Sequence, residues 1–165
     1  MSTKSLNTKF QPIAFIISLA ITLAIGFVAS IFTRPEIAGW YAGLQKPWFN
    51  PPPWLFAPVW TTLYIMIAIA AYLVWKRREK TLHFAITRNV YFLQLLFNFM
   101  WSIVFFGIHQ ILGALVVITL LWISILVNYF WFEKYSKAAA RLLVPYFLWV
   151  TFAGFLNLFI YLLNR

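Results

Sequence analysis

Cysteine and aspartate are both absent from this 165-residue chain, and only three acidic side chains remain, Glu36, Glu79 and Glu133. Without cysteine there is no disulfide, no thiolate nucleophile and no thiolate metal site. The glutamates and the two histidines, His83 and His109, all stand at the edges of long apolar runs. Neither a Ser-His-acid triad nor a histidine-rich metal centre can be assembled from the segments between them. No charge lies in the middle of such a run, which argues against an intramembrane proton relay or ion pump. His109 is a conceivable axial haem ligand, but its place at an edge is that of an interfacial polar residue.

Apolar residues fill the space that these absences leave. Hydrophobic side chains make up 64% of the sequence, aromatic ones 21% and charged ones 10%. A soluble domain is nearer half apolar and a quarter charged, so the composition is that of an integral membrane protein. Five apolar runs, at about 13–33, 54–75, 84–106, 111–132 and 142–163, reach the length of about 20 residues that a bilayer crossing needs. The fold expected is an all-α membrane protein, a five-transmembrane-helix bundle forming one domain over residues 1–165. The first run is too long for a signal-peptide core and lacks a small-x-small cleavage site before Arg34, so it reads as a span. Its Gly26, Ala29 and Ser30 offer a small-residue strip to a neighbouring helix.

Ten of the thirteen lysines and arginines fall in residues 1–12, 76–88 and 133–141. The alternate segments hold Arg34, Lys46 and Arg165. That bias places the N-terminus in the cytoplasm and the first connector outside. It also accounts for the net charge of +10 without any nucleic-acid partner. A bacterial plasma membrane is the expected location, with the outer membrane of a bacterium or mitochondrion as the alternative.

The first connector, Trp40 to Trp60, concentrates four of the nine tryptophans and five of the eight prolines. Between Pro47 and Pro53 the missing N–H groups exclude helix and central strand, so a stiff extended connector is expected, lying as a lid over one end of the bundle. Within the spans, Gln94, Asn98, Asn128 and Asn157 are amides in hydrocarbon, each needing a partner. Helical spacing sets Trp60 with Tyr64, and Asn98 with Trp101. It also sets Tyr146, Trp149, Ala153, Leu156 and Asn157 on one stripe. These faces would suit an apolar pocket for a flat ligand, although plain aromatic packing gives the same pattern.

Five segments carry a resemblance. WYAGLQKP at 40–47, PPPWLFAPVWTTLYIM at 51–66, LVWK at 73–76, LFNFMWSIVFF at 96–106 and AARLLVPYFLWVTFAGFLN at 139–157 resemble the TspO/MBR family of tryptophan-rich sensory and translocator proteins. The resemblance implies a five-helix bundle, usually a homodimer, that binds a porphyrin such as protoporphyrin IX or haem in a cavity closed by the first loop. It implies a role in porphyrin transport or sensing with no required cofactor, and membrane lipid, including sterol, as a further partner. The family's pocket tryptophans fall on Trp40 and Trp149, with Trp60 nearby. Its synthetic-ligand contacts fall on Ser30, Phe56, Ala57, Ala153 and Leu156, and its third-helix amide on Asn98. Tyr64 and Trp101 join this ligand-binding set from the helical faces above. Were the protein instead an enzyme degrading porphyrin oxidatively, Trp40 and Trp149 would be its redox residues; a sterol or lipid carrier is the other alternative. Ser102-Ile103 and Gly113 depart from the mitochondrial pattern, which has Pro-Pro and a tryptophan there.

Overall fold

The computed structural model describes residues 9–78 and 82–165. Lys4, Glu79 and Lys80, which contribute to the charge pattern above, lie outside them. Among the described residues, five segments are long and apolar enough to cross a membrane. They are α1 (Pro12–Ala38), α3 (Phe56–Lys76, entered through a 3-10 turn at Pro53–Leu55), α4 (Leu82–Ser102), α5 (Ile111–Tyr135), and the pair α6 (Lys137–Leu142) and α7 (Val144–Leu163). A single helical turn, α2 (Trp40–Gly43), follows α1. The chain is an all-α, five-span membrane protein, as its composition predicts.

Three features differ from the sequence reading. Helix α1 runs to Ala38 instead of ending at Thr33. Its 27 residues make a rod of about 40 Å, longer than the ~30 Å hydrocarbon layer, so its last turns carry Arg34 and Glu36 into the headgroup zone. The fifth span is preceded by α6, whose start is fixed by the Ser136 hydroxyl accepting from the Ala139 N–H at 3.3 Å. The connector between Pro47 and Pro53 is bent, not extended throughout. Asn50 keeps the N–H that the prolines lack and donates it to the Pro47 carbonyl at 3.0 Å, closing a turn over Trp48 and Phe49.

The spans form a ring. Helix α1 packs on α3 and α4, α4 on α5, and α5 on α7, while α3 closes the circuit against α6 and, more lightly, α7. Ile67, Leu95, Leu121, Ile125 and Val150 are almost wholly buried in the core. At the α1–α3 crossing a Cβ on Gly26 would lie 2.3 Å from the Tyr64 ring, so only glycine permits that approach.

Hydrogen bonds sort the connections onto two ends. At one end Glu36 meets His109, and the Asn164 side chain bonds the Gln45 N–H and C=O at 2.9 and 2.8 Å. At the other, Arg77 donates to the Tyr135 carbonyl at 2.6 Å. The first connector, the α4–α5 turn and the chain's tail therefore share one face of the bundle, as the charge alternation requires.

Candidate functional site

A cavity of about 350 Å³ opens between α1, α3, α4 and α7, toward the end that carries the first connector. No residue of α5 lines it. Helix α5 is instead apolar around its whole circumference and serves as the back wall against which α4 and α7 are held.

Each wall follows from a helical stripe. On α3, Phe56, Ala57, Trp60, Thr61 and Tyr64 face inward. On α7, Trp149, Ala153, Leu156, Asn157 and Ile160 do so, with Ala153 leaving room beside the Trp149 ring. The α4 wall is more unusual. After Asn98, Trp101 and Ser102 the helix widens into a π turn, Ile103–Gly107, in which the Ile108 N–H reaches back five residues to the Ile103 carbonyl. Such turns are rare and recur at functional sites. Here the turn brings Phe105 and Phe106 into the wall, with Phe105 stacked on Trp101 at 5.5 Å.

Two amide-centred networks fix the wall. Tyr64 Oη donates to Asn98 Oδ1 at 2.5 Å, and Asn98 Nδ2 donates to Tyr146 Oη at 3.0 Å, tying α3, α4 and α7 together in the buried interior. Nearer the mouth, Trp101 Nε1 donates to Asn157 Oδ1 at 3.2 Å, and Asn157 Nδ2 donates to the Ile111 carbonyl at 3.0 Å. Gln94 and Asn128, the other two amides, are buried without a hydrogen bond among the described residues. So is the Trp149 indole N–H. Tyr41, 4% exposed, closes the connector side; its hydroxyl donates to Asn50 Oδ1 at 2.6 Å, and burial pushes its pKa up to about 12, so it stays protonated at neutral pH.

Of the eleven residues expected to contact ligand, ten share this one cavity: Ser30 on α1, Phe56, Ala57, Trp60 and Tyr64 on α3, Asn98 and Trp101 on α4, and Trp149, Ala153 and Leu156 on α7. Trp40 does not line it. Its ring lies flat on His109 at 4.3 Å and edge-on to Phe105 at 5.4 Å, one layer behind the wall. His109 adopts a left-handed backbone conformation, φ 56°, and its Nε2 lies 3.0 Å from Glu36 Oε2. It thus faces Glu36 and Trp40, outside the lining set where an axial iron ligand would have to stand. Among the described residues no group of three or more His, Cys, Asp or Glu side chains could hold a metal. Sequence reasoning missed Arg34, Ile37 and Tyr41, which the longer α1 and its α2 turn bring to the mouth, and Phe105 and Phe106, which only the π turn aligns.

Comparison with known proteins gives one consistent result. The profile described as the TspO/MBR family matches residues 18–163. The chain is 44% identical over 147 residues to the tryptophan-rich protein TspO of Archaeoglobus fulgidus, covering 89% of this chain and 94% of that protein. It is 43% identical over 163 residues to the protein of the same name from Chlorobaculum tepidum, covering 96% and 99%. With the translocator protein of Homo sapiens it shares 40% identity over 135 residues, 79% of this chain and 78% of the human one.

Proposed function

Because the chain belongs to the TspO/MBR family, we propose that it is a membrane receptor or carrier that takes a porphyrin such as protoporphyrin IX or haem into the cavity among α1, α3, α4 and α7. The observation that carries this reading is the make-up of the wall. Trp60, Trp101 and Trp149 present three indoles around one apolar space, and the Trp149 N–H is buried there without an acceptor among the described residues. A buried donor without a partner costs free energy that a ligand acceptor would recover. Large flat rings gain most from such a wall through stacking and edge contacts. A family member with this arrangement would bind, sense or move its ligand from the outward-facing end of the bundle.

The test is an absorption titration of the protein in micelles with protoporphyrin IX. Wild type should show a saturable shift in the porphyrin band. Ala153→Leu should remove most of it, because the added methyl groups occupy the space beside Trp149 and overpacking excludes the ligand. An undiminished shift in Ala153→Leu would remove this cavity from consideration as the site.

A further inference from the structure

We propose that Arg34 anchors an anionic group carried at one edge of the cavity's ligand, and so selects acidic rings over neutral ones of similar size. The inference rests on the porphyrin reading above and specifies which side chain recognises the ring's carboxylates.

Arg34 is the charged residue among those that line the cavity, and no acidic side chain lines it with Arg34. It sits on the α1 stripe that faces inward, one turn beyond Ser30 and just short of Ile37. The other polar side chains of that stripe are already occupied. Ser30 Oγ donates to the Phe27 carbonyl at 2.7 Å and Thr33 Oγ1 to the Ala29 carbonyl at 3.1 Å. Arg34 makes no hydrogen bond or ion pair among the described residues. The nearby acid, Glu36, is held by His109 at 3.0 Å. Glu133, the other acid among the described residues, ends α5 at the opposite face of the bundle.

A guanidinium with no partner among the described residues, placed on the cavity side of an interfacial helix end, is a ready donor pair for a carboxylate. Its depth suits that role as well. An arginine in the headgroup zone keeps its charge at little cost, while the rings below it stay in an apolar space. A ligand fitting both would be apolar over most of its area and acidic at its outer edge, which describes a porphyrin with propionates and not a sterol.

The experiment compares protoporphyrin IX with its uncharged dimethyl ester in wild type, Arg34→Gln, Arg34→Lys and Lys46→Gln, in maltoside micelles free of phospholipid. Lys46 is the charge control, since its Nζ is bound to the Ala42 and Leu44 carbonyls and it does not line the cavity. The expected result is that Arg34→Gln weakens binding of the diacid about tenfold, leaves the ester unchanged, and is partly rescued by Arg34→Lys, with Lys46→Gln without effect. Equal binding of the diacid by wild type and Arg34→Gln overturns the proposal while leaving the porphyrin reading intact. An equal loss of diacid and ester also overturns it, because that would mark Arg34 as structural. A wild type that binds neither compound overturns both readings. The series is repeated with phosphatidylglycerol added. If anionic lipid erases the Arg34-dependent preference, the guanidinium belongs to a lipid headgroup and the proposal fails.

Discussion

Asn98 shows most directly how one side chain can serve both fold and site. It accepts from Tyr64 and donates to Tyr146, so its loss strands two buried hydroxyls. Asn98→Leu should lower stability by about 2 kcal/mol, read from unfolding in mixed micelles. Tyr64→Phe breaks one bond and should cost only about 0.6 kcal/mol, the average for such bonds between membrane helices. The indoles divide in the same way. Trp101→Phe removes a bond to Asn157 and should reduce both stability and binding, whereas Trp149→Phe breaks no protein hydrogen bond and should reduce porphyrin affinity alone. Much at this scale was legible in the sequence, because the i, i+3 and i+4 spacing of Trp60, Tyr64, Asn98, Trp101, Trp149 and Ala153 sets direction on a helix regardless of tertiary context. Trp40 was not legible. Its position depends on His109, some seventy residues away, held in a backbone conformation that no local pattern signals.

Among the elements, α1 and the π turn explain where sequence reasoning stopped. The apolar run ends at Thr33, but helix does not need hydrocarbon to continue, and the last turns of α1 add Arg34 and Ile37 to the mouth of the cavity. Nothing in Ile103–Gly107 marks a widened turn, since such a turn reflects how Phe105 and Phe106 pack on Trp101 and Tyr41. Helix α1 is also the least buried span, and its register depends on the Gly26 approach to Tyr64. Gly26→Ala should cost about 1–3 kcal/mol, because the Tyr64 ring is tied to Asn98 and cannot simply swing aside. Gly43→Ala meets nothing within 4 Å and should leave the melting temperature unchanged.

For the molecule as a whole, the number of crossings sets the outcome of a topology experiment. Three spans separate residue 80 from residue 165, so a reporter inserted at the first position and one fused after Arg165 should read out on opposite sides of the membrane. Finding both on one side would mean that one of the helices does not cross. The same architecture has a photophysical consequence. Three of the nine tryptophans, Trp60, Trp101 and Trp149, converge on one space, while Trp48 and Trp54 point away into the surroundings at 95% and 71% exposure. A chromophore that absorbs where indole emits would quench the inner three most strongly, because energy transfer falls off steeply with distance, and the two exposed ones less. Occupancy of the cavity should therefore be readable from the protein's own ultraviolet fluorescence, without any attached dye.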